Sequence, residues 1–152
     1  TKGITMLTTL CLALAIYHEA RGESYIAKLA VSKTIYNRVE SNRWPNTICE
    51  VIMQPKQFSF VKKGRVPMPK DEKSWQKAYV LAKKIEKNPE ILPIMEADHF
   101  HSVQVRPVWR KRLHRLVRIG NHIFYSYKQP KAIKTSLRPQ IRGQKSRPAE
   151  LE

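Results

Sequence analysis

The sequence predicts a mainly helical α+β domain with a small β element. Apolar residues recur at helical spacing in three long segments between residues 5 and 88, as expected for helices that pack on a core. Two later segments, HFHSV and IGNHIFYSY, are rich in aromatic and β-branched residues and predict short strands. With 152 residues, 41% of them hydrophobic, the chain is long enough to bury one core.

The first predicted helix runs from about Thr5 to Arg21. Leu12, Ala15 and Ile16 lie on one stripe of this helix. Glu19 follows on the same stripe, where the pattern would otherwise place an apolar side chain. A carboxylate at such a position is costly unless it has a partner or a function.

The segments that follow predict further helices and one loop. A second helix covers about residues 24–39. Thr47 and Glu50 have the spacing of a capping box, which opens a short third helix. Residues 56–70 predict a loop or an irregular strand pair, and another long helix covers about residues 71–88.

The chain is strongly basic, with a net charge of +17 from 29 Lys and Arg residues against 12 Asp and Glu. Such an excess favours a polyanionic partner: nucleic acid, an anionic membrane surface or an anionic cell-wall polymer. Residues 128–152 are basic, contain three prolines and have almost no large apolar residues. We therefore expect a folded domain over 1–127 and a basic, disordered tail over 128–152.

Cys11 and Cys49 both lie in apolar local sequence, TLCLAL and TICEVI. Two buried free thiols are the simplest interpretation, and two positions do not decide whether a disulfide joins them. The apolar run Ile4–Tyr17 is shorter than the ~20 residues of a membrane-spanning helix. Only Lys2 precedes it and no small-residue cleavage site follows, so we interpret it as a core helix, with no clear signal peptide and no membrane span.

Glu19 is the first candidate for chemistry. Burial among apolar groups raises a carboxyl pKa because it disfavours the charged form. A pKa raised towards ~6 suits a general acid that works near neutral pH. The alternative is a buried salt bridge with Arg21 or Arg38, and these residues alone do not decide between the two.

Glu23 lies four residues after Glu19, so on a continued helix the two carboxylates would share a face. Two carboxylates at one site could act as acid and base in glycoside hydrolysis. Gly22 between them is a typical helix stop, which weakens this geometry. The alternative, which we favour, places Glu23 at the positive end of the second helix dipole.

Gln57, Phe58 and Ser59 combine an amide, an aromatic ring and a hydroxyl in one loop. Such a set suits sugar recognition through hydrogen bonds and ring stacking. The alternative is a loop with one buried Phe.

His99, His101 and His122 are candidates for a metal site together with Glu19 or Asp98. His99 and His101 have strand spacing, which directs both rings to one face. No further ligand stands at a diagnostic interval, so hydrogen-bonded histidines are the simpler interpretation. We expect no metal and no other cofactor.

Residues 106–118 carry six Lys and Arg residues around Trp109. A nucleic-acid-binding protein uses such a patch to contact phosphates. No helix-turn-helix, zinc-finger or RNA-binding signature accompanies it. The alternative is a solvated basic face, and we expect no specific nucleic-acid partner.

Five segments, taken in order, resemble the spore-cortex-lytic-enzyme type of cell-wall hydrolase: ALAIYHEARGES, AVSKTIYNRVES, WPNTICEVIMQPKQFSF, ADHFHSVQVRPVW and IGNHIFY. The resemblance covers about residues 10–127. It implies a lysozyme-like catalytic domain that cleaves the peptidoglycan glycan strand between N-acetylmuramic acid and N-acetylglucosamine. The acidic residue of the family's Y-x-E-A-R-G-E motif is catalytic, and here it is Glu19.

Related lytic transglycosylases use one carboxyl first as acid and then as base. The resemblance therefore implies a 1,6-anhydromuramic product and no need for a second carboxylate. It also implies that Gln57, Phe58 and Ser59 line the sugar cleft, with His101 and Trp109 on its far side.

Members of this family occur in spore formers, in other bacteria and as phage endolysins. We expect an endolysin that waits in the host cytoplasm and, after release, acts as a monomer in the cell wall or periplasm. Its partners would be peptidoglycan and, through the basic tail, anionic envelope polymers or the membrane surface. The family often has Tyr where Phe100 stands here, so a hydroxyl contact is expected to be missing.

Two alternative functions remain open at this point. One is a zinc-dependent N-acetylmuramoyl-L-alanine amidase, which would hold its metal with His99, His101 or His122. The other is a basic nucleic-acid-binding protein without catalysis.

Overall fold

The computed structural model describes residues 2–54 and 57–131. Within them the chain forms four α-helices and three β-strands, which confirms the predicted, mainly helical α+β class. The helices are α1 (Lys2–Ala20), α2 (Tyr25–Glu40), α3 (Ile48–Met53) and α4 (Glu72–Lys87), and the strands are β1 (His99–Ser102), β2 (His114–Ile119) and β3 (His122–Ser126). The chain divides between Met95 and Glu96 into two compact units, the first with these helices and the second with these strands. Most of the predicted tail, residues 132–152, lies outside the described residues.

Helix α1 is the central helix of the first unit and packs against α2, α3 and α4. It is consequently buried on several sides, and the residues less than 2% exposed are Leu12, Ala13, Ala15, Ile16 and Ala20. The three alanines among them allow close approach of the neighbouring helices. Although α1 has 19 residues, neither it nor any other helix in the described part of the chain is long and apolar enough to cross a membrane.

Side-chain caps fix where three of the helices begin. Ser24 caps α2 and Asp71 caps α4, each by accepting a hydrogen bond from a backbone N–H in the first turn. The predicted cap of α3 is confirmed, because the Thr47 hydroxyl accepts from the Glu50 N–H at 3.2 Å. The Glu50 carboxylate accepts a hydrogen bond from the Thr47 hydroxyl at 2.9 Å. In a standard capping box it would accept from the backbone N–H of Thr47 instead, so only half of the capping box is formed.

Cys11 and Cys49 form a disulfide that joins α1 to α3, with their Cα atoms 5.3 Å apart. The interpretation as two free thiols is therefore wrong. The two residues are 38 positions apart in the chain and meet only because α3 packs against α1. Local sequence holds no information about that packing, which is why the pairing stayed undecided.

The loop between α3 and α4 contains one short reversal. Lys62 and Arg65 form an isolated antiparallel bridge around Lys63 (φ 52°) and Gly64 (φ 73°). The prediction of a loop or irregular strand pair is confirmed for its described residues.

The second unit is built on an antiparallel sheet of strand order β1-β3-β2. Strands β1 and β3 confirm the two predicted strands, whereas β2 was not predicted. Its register shifts between Arg115 and Val117, so the alternation that marks a strand is interrupted. Gly120, at φ 57°, opens the two-residue turn between β2 and β3.

Candidate active site

Glu19 is the penultimate residue of α1 and continues the buried stripe of Ala15 and Ile16. Its side chain is half-buried. Burial raises the pKa of its carboxyl from 4.5 to about 7, because the charged form loses solvation. Such a carboxyl holds a proton near neutral pH and can also release it, as a general acid and base must.

The alternative role of Glu19, a buried salt bridge, is not formed among the described residues, none of which gives the carboxylate a hydrogen bond or an ion pair. Arg21 donates instead to the Tyr17 hydroxyl, and its guanidinium lies 4.8 Å from the centroid of that ring. Arg38 donates to Oε1 of Gln57 at 3.0 Å. Both arginines considered as partners are thus engaged elsewhere.

His18, which precedes Glu19, is held as a neutral ring. Its Nε2 lies 3.1 Å from the Pro67 carbonyl oxygen, so this nitrogen carries the hydrogen and donates it. The ring stacks on Phe60 with centroids 4.7 Å apart. Burial lowers the pKa of His18, as does the Arg21 charge, while the Pro67 carbonyl opposes them. The neutral ring places no positive charge beside Glu19.

Glu23 does not share a helix with Glu19. Helix α1 ends at Ala20, and Gly22 adopts φ +84°, which turns the chain before α2 begins at Tyr25. The shared helical face considered for the two carboxylates is therefore not formed. Glu23 lies two residues before α2, as the alternative near the positive end of that helix requires.

The loop after α3 alternates between exposed and buried side chains. Gln57 and Ser59 are exposed, whereas Phe58 and Phe60 are only 4% and 9% exposed. Phe58 therefore presents little of its ring to a ligand, and its place in the lining of a sugar cleft stays a prediction. Gln57 and Ser59 are the groups of this loop that can hydrogen-bond a sugar.

Arg38 holds this loop from α2. It is 5% exposed, and besides its hydrogen bond to Gln57 its guanidinium lies 5.2 Å from the ring centroid of Trp44 and 5.8 Å from that of Phe58. A guanidinium can bond in its plane and stack on its faces at the same time. Arg38 therefore positions both an exposed amide and a buried ring.

In the second unit an aromatic cluster surrounds Trp109. The ring centroids of His99, His101 and Tyr125 lie 5.2, 5.6 and 5.5 Å from that of Trp109. His101 is 8% exposed, and its two ring nitrogens bond the Ser102 carbonyl at 2.7 Å and the Tyr125 hydroxyl at 2.8 Å. His101 therefore supports the cluster from within, and a contact between His101 and sugar stays a prediction. Trp109 is half-buried and keeps surface for a ligand.

The three histidines considered for zinc are not brought together. His99 and His101 lie on one face of β1, as predicted, whereas the register of β3 places His122 on the other face. Nδ1 of His99 is engaged with Asp98 at 2.7 Å. No group of three His, Cys, Asp or Glu side chains in the described ranges is placed to hold a metal ion.

Sequence reasoning missed three residues that shape these sites: His18, Arg38 as a support of the loop, and Tyr125. A signal existed for His18, which lies beside Glu19 in the same motif. The partners of Arg38 and Tyr125 are 19 and 24 residues away, and no spacing rule reaches that far.

Comparison with known proteins identifies relatives of this chain. Residues 22–125 match the family described as Cell Wall Hydrolase. The catalytic domain of the germination-specific lytic transglycosylase SleB from Bacillus anthracis is similar, with a TM-score of 0.63 and 30% identity over 78% of this chain and 93% of that chain. The catalytic domain of the Bacillus cereus SleB protein gives a TM-score of 0.62 and 30% identity, with 80% and 91% covered.

The curated relatives are longer than this chain. The spore cortex-lytic enzyme of Bacillus subtilis is 32% identical over 113 residues, which are 74% of this chain and 35% of the relative. The spore cortex-lytic enzyme of Bacillus cereus is 41% identical over 61 residues, 40% of this chain and 24% of the relative. The matched part of this chain thus covers 24% of the length of one relative and 35% of the length of the other.

The family match begins at Gly22, so Glu19 lies just outside it and its assignment depends on its own geometry. The four helices and small sheet agree with the two solved catalytic domains. The chain belongs to the Cell Wall Hydrolase family and has the lysozyme-like α+β fold of the SleB catalytic domain.

Proposed function

We propose that this chain cleaves the peptidoglycan glycan strand between N-acetylmuramic acid and N-acetylglucosamine as a lytic transglycosylase, with Glu19 as its single acid/base. The half-buried Glu19 carboxyl, whose pKa burial raises to about 7, carries this proposal. The family match and the lytic transglycosylase among the solved relatives support it.

In the proposed reaction Glu19 donates its proton to the glycosidic oxygen as the bond between that oxygen and C1 of the muramic acid breaks. The electron pair of this bond leaves with the N-acetylglucosamine oxygen, which becomes a hydroxyl. The Glu19 carboxylate then takes the proton of the muramic acid C6 hydroxyl while O6 bonds to C1. The product is a 1,6-anhydromuramic acid, no water is consumed, and Glu19 ends protonated as it began.

A pKa near neutrality suits both halves of this cycle, because the same group must give a proton and then accept one. Hydrolysis would instead need a group that activates water, and Glu23 is the candidate. Its place beyond the Gly22 turn, off the axis of α1, favours the single-carboxyl route.

Digestion of purified peptidoglycan by the wild type, Glu19→Gln and Glu23→Gln tests the proposal. Glu19→Gln keeps the side-chain shape and removes the proton, so we expect a rate loss of about 10²–10⁴-fold. Glu23→Gln removes a neighbouring carboxylate and is the matched control, expected to show no loss of that size. An unimpaired Glu19→Gln would overturn the proposal, and equal losses in both variants would replace it by two-carboxylate hydrolysis.

The same digestion separates the two alternative functions. A zinc-dependent amidase would release free stem peptides and stop with a chelator. A non-catalytic nucleic-acid-binding protein would release nothing and would bind duplex DNA with an affinity that falls steeply with salt. The separated histidines of the second unit give the amidase no support.

We also propose that the chain works in the envelope as a monomeric endolysin, held in the host cytoplasm until release and drawn to anionic envelope polymers. Its charge of +17 supports that attraction. Because disulfides persist in oxidising compartments, we expect Cys11 and Cys49 to pair only after release. Thiol alkylation before and after release tests this, and a bond already formed in the cytoplasm would contradict the waiting step.

A further inference from the structure

A hollow of about 240 Å³ lies in the first unit between the end of α1, the start of α2 and the first half of α4. Its polar lining comes from Arg21, Glu23, Lys28, Ser74 and Lys77, and Glu19 is not part of it. We call it the basic hollow. The mechanism proposed above gives it no role.

Most of the charged side chains that line the basic hollow are positively charged. Arg21, Lys28 and Lys77 reach it from three different segments, and Glu23 is the carboxylate among its lining residues. A further carboxylate, Asp71, feels the Arg21 charge, but its oxygens accept hydrogen bonds from the Ser74 N–H and hydroxyl at the start of α4. Three cations against one carboxylate leave the lining with an excess of positive charge, which favours an anionic ligand.

One of these cations is held in place before any ligand arrives. The Tyr17 hydroxyl accepts hydrogen bonds from the backbone N–H groups of Lys70 and Asp71 at 3.1 and 3.0 Å. The same hydroxyl accepts from the Arg21 guanidinium, which lies over the Tyr17 ring. Arg21 has five donors, so the remaining ones stay available for a carboxylate in the preferred planar geometry.

We propose that the basic hollow binds a carboxylate of the peptide stem carried by the muramic acid that is cleaved. This inference rests on the proposed function. Ile16 of the lining lies three residues before Glu19 and shares its face of α1, and one turn of a helix rises about 5.4 Å. The stem is attached to C3 of the sugar whose C1 reacts, so a glycan held at Glu19 carries the stem carboxylates into this neighbourhood.

The test compares two double variants on two substrates. Lys28→Gln/Lys77→Gln removes two cations of the hollow, and Lys33→Gln/Lys83→Gln removes one cation from each of the same helices outside it. The substrates are glycan strands with their stems and strands whose stems an amidase has removed, which leaves only the lactyl carboxylate on each muramic acid. We expect the ratio of kcat/KM for stem-bearing over stripped strands to fall about fivefold to tenfold in the first variant. The control variant should keep the wild-type ratio.

Equal ratios in both variants would overturn the inference, because the effect would then be one of net charge. A binding measurement tests this inference separately from the proposed function. Calorimetric titration with a soluble stem tetrapeptide serves this purpose, because it needs no catalysis. Weaker binding by the Lys28→Gln/Lys77→Gln variant alone would support the inference even if no glycan is cleaved. Equal competition by inorganic phosphate would reassign the hollow to wall phosphates and overturn the choice of stem.

Discussion

The guanidinium of Arg38 donates a hydrogen bond over 3.0 Å to Oε1 of Gln57. The same group lies over the rings of Trp44 and Phe58 while only 5% of the residue is exposed. A single buried cation on α2 therefore orients a loop that has little regular structure of its own. The exposed amide of Gln57 is thereby fixed in the first unit, in which Glu19 also lies.

Arg38→Lys should lower both stability and wall digestion. Lys keeps the charge but lacks the planar fork that bonds and stacks together, so we expect a loss of about 1–3 kcal/mol in the free energy of unfolding. Arg43→Lys is the matched control, because Arg43 also lies over Trp44, at 5.5 Å, but is exposed. Urea unfolding measures both variants, and equal stabilities would contradict the role given to Arg38.

Glu19→Gln should stabilise the protein at high pH and not at low pH. The Glu19 carboxyl loses its proton near pH 4.5 in the unfolded chain and near pH 7 in the folded chain. The folded state therefore binds more protons between these values, and wild-type stability falls as pH rises through this window.

The stability difference between variant and wild type should be small below pH 4.5. It should reach a plateau above pH 7 of at most about 3 kcal/mol. Urea titrations across this range measure it, and a difference that does not change with pH would contradict the raised pKa.

Loss of the disulfide should cost much of the stability. For a loop of 38 residues, chain entropy predicts about 4 kcal/mol, which corresponds to a fall in Tm on the order of 10 °C. Calorimetry of Cys11→Ser/Cys49→Ser measures this loss. Reductant should lower the Tm of the wild type by the same amount and leave the Tm of the double variant unchanged. A wild-type Tm that does not change with reductant would show that the disulfide is absent in solution.

Trp109→Ala should weaken attachment to glycan strands, because the half-buried indole keeps surface to offer a sugar. We expect about threefold to tenfold weaker binding, with Trp109→Phe in between. Val108→Ala is the control, since Val108 is 76% exposed beside it. Binding to insoluble peptidoglycan in a Glu19→Gln background measures the effect without cleavage, and equal binding by all these variants would show that Trp109 does not contribute to glycan binding.

The helical half of the fold was predictable because its signals are local. The stripe of Leu12, Ala15 and Ile16 is buried as its spacing indicates, and Thr47 caps α3 as predicted. Strand β2 was missed because the irregularity between Arg115 and Val117 breaks the alternation. The disulfide was missed for a different reason, since it depends on which helices pack together.

The segments that carry the candidate residues of each unit were predictable, but the orientations of their side chains were not. Glu19 continues the spacing of an apolar stripe on the first helix. Its burial was therefore predictable from that spacing alone. Phe58 and His101 lie in the expected segments, yet both are buried. Which side of a loop faces inward depends on distant partners such as Arg38 and Tyr125, and spacing within the segment does not reveal them.

The central claim is that Glu19 acts alone, first as acid and then as base. Its most direct test is mass spectrometry of the soluble muropeptides that the enzyme releases from purified peptidoglycan. The account predicts muropeptides ending in 1,6-anhydromuramic acid from the wild type and no such products from Glu19→Gln. Reducing muropeptides, heavier by one water, would contradict it, because water rather than the C6 hydroxyl would then have attacked C1.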